Sequence, residues 1–294
     1  MVKAKSQSLF RKIMLPLIGV MILQSLCLIA AVLLSGAFDM LKSNSVELLN
    51  QDAGVRHTTL ENEMVNRWSV LTAAHSDIRQ KIQQTLSDNQ LTLDQMTKDP
   101  DRMDQVWASI SDSLLPLMRM NAVSGAFFVF DPGLNGEPIQ EGTRLPSLYY
   151  RDYDPASNPT DYSDILMERG PASISQRNAI PLSSFWSYWT TCAGEADLEF
   201  FRVPYQAAWD NPNMADESLG YWSRLTASPQ EPAYQMITYS MPVRSAEGPV
   251  YGVLGVEVSA EQLFRILPSR DLDENGRGGY ALVLMEGPLE SREQ

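Results

Sequence analysis

Residues 14–38 read MLPLIGVMILQSLCLIAAVLLSGAF and contain no charged side chain. About 20 apolar residues let a helix cross a hydrocarbon core of roughly 30 Å, so this run is long enough to span a membrane. Lys3, Lys5, Arg11 and Lys12 precede it without an acidic residue, and Asp39, Lys42, Glu47 and Asp52 follow it. A basic flank stays in the cytoplasm. This predicts a single pass through the inner (plasma) membrane, with the N-terminus inside and everything past residue 40 outside. A cleaved signal peptide is the competing reading, because Ser35-Gly36-Ala37 resembles a small-residue cleavage site. The apolar stretch exceeds the roughly 7–15 residues of a signal core, which favours an uncleaved anchor. Both readings export the rest of the chain.

The exported part has the means to fold. Apolar residues make up 44% of the chain and aromatic residues 9%, which argues against disorder. A net charge of −13 argues against nucleic acid, whose phosphates need a basic patch. The two cysteines, Cys27 and Cys192, lie far apart in dissimilar surroundings and in no CxxC pattern. Neither an internal disulfide nor a zinc site is expected.

Residues 43–96 read as one long helix. Leu60, Met64, Trp68, Leu71, His75, Ile78 and Ile82 recur at spacings of four and three, Gly54 is the only glycine in the segment, and no proline interrupts it. Such a helix would run about 75 Å, as a spine beside a folded body, a dimer seam, or both. The stripe at Trp68, Leu71 and Ile78 could pair two chains into a homodimer. His57 and His75 fall on this helix and read as ordinary helix residues.

Asp99-Pro100 ends the segment, and a second helix is predicted over 101–119. The period then changes. Gly125–Phe130 (GAFFVF) and Leu148–Arg151 read as strands, and residues 152–232 read as a loop-rich stretch interleaved with aromatics. Tyr234–Val243 and Val250–Val258 predict an antiparallel hairpin. Val250, Gly252, Leu254, Val256 and Val258 share one face of its second strand. A short helix follows at 259–267, then a turn-rich linker and a strand at Gly279–Met285.

Four segments carry a family resemblance: Leu148–Pro155 (LYYRDYDP), Leu219–Ser223 (LGYWS), Met236–Pro242 (MITYSMP) and Tyr251–Ser259 (YGVLGVEVS). Together with the order of anchor, long helix, strands and closing hairpin, they resemble the double Cache sensor region of bacterial receptors, closest to those on diguanylate cyclases and sensor histidine kinases. The resemblance covers about residues 44–267. It implies an α+β fold: a transmembrane helix at 14–38 after a cytoplasmic segment 1–13, a long spine helix at 43–96, a PAS-like antiparallel sheet forming the membrane-distal lobe at 97–267, and residues 268–294 as a linker and first strand of an incomplete, truncated proximal lobe. It further implies a small-molecule site in the distal lobe and an output through a cyclase, kinase or chemoreceptor signalling domain.

Ligand pockets are mostly apolar with a few placed polar groups. Arg151 could grip a carboxylate through a bidentate contact and Asp152 could take an amine. Tyr149, Trp186, Tyr221, Trp222 and Tyr239 could wall the site, which suits an amino acid, an amine or a carboxylate. The same aromatics serve equally well as core packing, and Arg151 with Asp152 as an ion pair or turn. Asp271–Gly276 imitates the start of a calcium loop, but the required Glu falls at Leu282, so the motif fails. Glu257, inside an apolar strand, is expected to hydrogen-bond the following helix start. No Ser-His-Asp arrangement or GxSxG motif is present, and neither enzyme activity nor a cofactor is expected. The reading is extracytoplasmic small-molecule sensing by a membrane-anchored receptor. The alternatives are an exported binding or adhesion protein without signalling output, a chemoreceptor ligand-binding region, or, least supported, a surface hydrolase.

Overall fold

The computed structural model describes residues 9–34, 36–97, 99–131, 133, 136–153, 163–192, 198–228, 233–245 and 248–266. The chain is α+β and forms two compact units, Met1–Thr59 and Leu60–Gln294. The first unit holds α1 (Leu9–Leu34) and most of α2 (Ala37–Asn62). Gly36, at φ +70°, makes the left-handed turn between them, a conformation open to glycine at little steric cost. Lys12–Ala31 is long and apolar enough to cross a membrane, and none of its described side chains is buried. The expected proximal-lobe strand and the Asp271–Gly276 loop lie outside the described residues.

The second unit opens on a π-helical turn, Glu63–Trp68, followed by α3 (Thr72–Asn89), α4 (Leu93–Thr97) and α5 (Pro100–Asn121). The single helix expected over 43–96 is therefore divided. Leu60, Met64 and Trp68 step by four residues, which drifts around a 3.6-residue helix. A wider turn, with Ser69 N–H bonded to Met64 O at 3.0 Å, absorbs the drift and keeps all three on the inner side. Trp68, Leu71 and Ile78 are each 0% exposed and sit in the core of their own lobe. The proposed dimer seam is thus internal to one protomer. α3 ends on Gln90 in the left-handed conformation. α5 starts where Asp99 Oδ1 accepts from the backbone N–H groups of Asp101 and Arg102, with Pro100 at its first position.

The sheet contains β1 (Gly125–Phe130), β2 (Arg144–Arg151), β3 (Leu166–Arg169), β4 (Leu182–Ser187), β5 (Trp189–Thr191), β6 (Tyr221–Trp222), β7 (Thr226–Ala227), β8 (Gln235–Arg244) and β9 (Val250–Ser259). Its order is β4-β3-β2-β1-β9-β8-β6, with β5 beside β2 and β7 beside β8. Among the described residues only the β3–β4 pairing is parallel. Helices α6 (Ala172–Asn178), α7 (Glu199–Asp210) and α8 (Ala260–Ile266) and a 3₁₀ turn, Asp216–Leu219, complete the lobe. The described residues of the stretch 152–232, expected to be loops, thus hold the five strands β3 to β7, the helices α6 and α7 and the 3₁₀ turn. Its elements run from two to twelve residues, too short for a period to stand out against the dense aromatics.

Both faces of the central strands are covered, and every residue of β1 and β9 is buried. On one face Phe128, Phe130, Leu254 and Val256 pack against Trp107, Ile110 and Leu114 of α5. On the other, Phe127, Val129 and Val253 pack against Phe201 and Tyr205 of α7. Leu254, Val256 and Val258 share the α5 face as their spacing requires. Val250 joins the α7 face instead, because a register shift at Val243/Arg244 reverses the alternation near the turn.

Candidate functional site

A cavity of about 400 Å³ opens between the α7 face of the sheet and the segment leading into α7. Strand register builds it. Arg151 on β2, Gly125 on β1, Glu257 on β9 and Thr238 on β8 lie in one cross-strand row; Tyr149, Phe127, Gly255 and Ser240 form the next. Each row contains one glycine with a ring or a long side chain lying over it. A Cβ on Gly125 would sit 2.9 Å from the Tyr149 ring and 2.9 Å from Tyr150 O, and one on Gly255 would collide with Phe127 Cζ.

Because Gly125 leaves the gap open, Arg151 reaches across β1 to Glu257. Its Nε donates to Oε1 at 3.1 Å and its Nη2 to Oε2 at 2.9 Å. Tyr234 donates to the same carboxylate at 2.6 Å, and Tyr149 donates from the cavity side. The guanidinium lies over the Tyr149 and Tyr234 rings, at 5.1 and 4.7 Å from their centroids. Complete burial pushes the Glu257 carboxyl well above its ordinary value. Against this, four donors converge on its oxygens and two are guanidinium N–H groups, so the site is shaped around the carboxylate form. Burial also pushes the Tyr234 phenol up to about 12, although Arg151 opposes it.

A second pair lies beside the first. Glu168 accepts from Tyr153 at 2.7 Å and sits 3.6 Å from Arg151 Nη1 and 3.5 Å from Arg169 Nη1. Arg169 also donates to the carbonyls of Glu168 and Phe185. Phe127, edge-on to both Tyr149 and Phe200, forms the apolar wall. Thr238 lines the cavity at 4% exposure, and its hydroxyl has no hydrogen-bond partner among the described residues.

Of the seven residues singled out in the sequence, Tyr149 and Arg151 line the cavity. Tyr221 stands next to it, and burial together with the neighbouring carboxylate of the lining residue Glu199 pushes its phenol up. Trp222 and Tyr239 pair at 5.0 Å on the opposite face, because their positions on β6 and β8 are one residue out of phase with Tyr221 and Thr238. Trp186 donates to Gly170 O at 3.1 Å and packs on the α5-side core. Asp152 is buried beside Arg151 but does not line the cavity. The expectation that Glu257 serves the following helix start is replaced by its bond to Arg151. Phe127, Glu168, Glu199, Phe200 and Thr238 were not singled out; the alternation of β8, with Thr238 one step from Tyr239, was the available signal for Thr238.

A second buried cluster joins α3 to the rim of the sheet. His75 Nε2 lies 3.0 Å from Asp216 Oδ2 and 3.1 Å from Pro242 O. Asp216 also holds Arg244, whose guanidinium donates to the carbonyls of Ala208, Asn211 and Pro212 at the end of α7. Burial alone would push Asp216 up; the hydrogen bonds from His75 and Arg244 outweigh it and hold the carboxyl below its ordinary value. His75, expected to be an ordinary helix residue, is thus the polar tie between α3 and this knot.

No family model matches the chain, and no curated protein matches it. Solved structures similar to it include the periplasmic sensory domain of a Campylobacter jejuni chemoreceptor, at 11% identity and a TM-score of 0.39, covering 82% of this chain and 67% of that one. An extracellular domain assigned to a histidine kinase follows at 15% identity and a TM-score of 0.30, covering 72% and 66%. A methyl-accepting chemotaxis protein follows at 14% and 0.31, covering 74% and 65%. The chain spans about two thirds of the length of each.

Proposed function

We propose that this chain is the extracytoplasmic sensing part of a membrane-anchored signalling receptor, and that a small molecule binds in the cavity between the sheet and α7. The observation that carries this reading is the cavity itself: about 400 Å³, lined by aromatic rings and by a buried hydroxyl without a partner. That volume suits a ligand of metabolite size. In this reading residues 14–38 hold the chain in the membrane with the N-terminus in the cytoplasm. Residues 97–267 form the membrane-distal lobe, and the output is a histidine kinase, a diguanylate cyclase or a chemoreceptor signalling domain. Binding would favour one of two arrangements of α7 against the sheet. The Arg244–Asp216–His75 knot supports this, because it ties the end of α7 to α3.

The test is a thermal-shift screen of the full chain in lipid nanodiscs against amino acids, amines, carboxylates and nucleobases. At least one compound should raise the melting temperature with a saturating dose dependence. The effect should vanish in Thr191→Trp, which places a ring at the exposed rim of the cavity. Stabilisation that survives this substitution would place the ligand elsewhere.

A further inference from the structure

The charge around the cavity is unevenly spent. Both guanidinium groups that line it already hold internal acceptors: Arg151 grips Glu257, and Arg169 bonds to Glu168 O and Phe185 O. Glu168 is met by Tyr153 and both arginines. Glu199 differs. It lines the cavity beside the Tyr221 phenol, which burial and this carboxylate push up, and it forms no ion pair among the described residues. Of the two carboxylates that line the cavity, Glu168 has guanidinium groups at 3.5 and 3.6 Å, and Glu199 has none within ion-pair distance among the described residues.

An independent feature points into the same space. Thr238 is 4% exposed and its hydroxyl has no partner among the described residues. A buried hydroxyl left unpaired costs roughly 1–3 kcal/mol, so something is expected to bond it. Its neighbours on the row cannot. The Ser223 hydroxyl donates to Arg224 O and accepts from Thr238 N–H, and the Glu257 carboxylate is filled by Arg151, Tyr149 and Tyr234. Ser240, two residues along β8, is bonded to Phe200 O, which keeps the Glu199 end of α7 close to this row. The rings of Phe127, Tyr149 and Phe200 complete a wall whose faces attract cations.

We infer that the cavity takes a small organic cation, an amine carried on a compact apolar body, with Glu199 as its counter-ion and Thr238 as its hydrogen-bond partner. This rests on the sensing reading above and narrows its ligand class: a free carboxylate is disfavoured, because the guanidinium that would grip it is already occupied by Glu257. The amine donates to both groups and the apolar body lies against Phe127 and Phe200.

The experiment compares cyclohexylamine, cyclohexanol and cyclohexanecarboxylate at neutral pH by isothermal titration calorimetry on the full chain in nanodiscs, with empty nanodiscs subtracted. The amine is expected to bind saturably and the other two at least about tenfold more weakly. Glu199→Gln and Thr238→Val should each weaken the amine about tenfold without lowering the melting temperature of the unliganded chain. A carboxylate that binds as tightly as the amine overturns the inference, as does amine binding that ignores both substitutions. If the amine fails while another compound of the broader screen stabilises the chain and is blocked by Thr191→Trp, only the cationic class falls. If nothing in that screen stabilises the chain, the sensing reading falls with it.

Discussion

Arg151 and Glu257, on strands that do not pair with each other, meet across Gly125 through two hydrogen bonds of 3.1 and 2.9 Å. Glu257 is 0% exposed and Arg151 4%, at the wall of the cavity. Both charges have left water: the carboxylate is compensated by Arg151 and two phenols, and the guanidinium by Glu257 and by Glu168, 3.6 Å from its Nη1. Breaking a buried pair by removing one partner strands the remaining charge.

Arg151→Leu should therefore destabilise the lobe by about 3–5 kcal/mol, measured by chemical denaturation. The double substitution Arg151→Leu/Glu257→Leu removes both charges and should recover much of that loss. Additive losses would show that the two groups do not depend on each other.

Gly255 does the same service for Phe127, whose ring lies where a Cβ would project. Gly255→Ala should push the ring toward Tyr149 and Phe200 and cost about 1–3 kcal/mol, with a change in the near-ultraviolet circular dichroism of these rings. Adding Phe127→Leu should restore part of the stability. A Gly255→Ala variant with unchanged stability and spectrum would mean that the ring is not confined there.

Strands β1, β8 and β9 were the legible part of this fold. GAFFVF and the two halves of the β8–β9 hairpin announce themselves by apolar content and bounding turns, and they occur where expected. α7 was hidden although Phe201, Tyr205 and Ala208 follow a helical spacing, because Pro204 sits inside it and the region reads as a field of aromatics. The cavity was legible only in part. Arg151 was found because a charge ending an aromatic strand needs a partner. That the partner is Glu257, 106 residues away, depends on two strand registers that local pattern does not encode. His75 and Asp216, 141 residues apart, were hidden for the same reason.

The His75–Asp216–Arg244 knot has a pH signature. Asp216 has its carboxyl held below the ordinary value, so its contribution is present above the unfolded carboxyl pKa of about 3.9 and is lost as pH falls through the folded value. Asp216→Asn should cost about 1.5–3 kcal/mol at neutral pH. The difference from the unsubstituted chain should shrink below about pH 4 as that carboxyl protonates. A difference that stays constant from pH 7 to pH 2.5 would show that the Asp216 charge contributes nothing.

Thr238→Val tests the cavity from the stability side, without any ligand. Valine has nearly the shape of threonine and favours strands, so the exchange keeps the packing against β9 and removes only the hydroxyl. In the unliganded chain that hydroxyl is buried and lacks a partner among the described residues. Its loss should raise stability by roughly 1 kcal/mol, read as a shift of the denaturation midpoint at unchanged slope. Most core threonines behave oppositely, because their hydroxyl is bonded. Destabilisation by about 1 kcal/mol or more would mean that the Thr238 hydroxyl is already satisfied in the unliganded protein, by an ordered water for instance, and that its bonding capacity is not held in reserve.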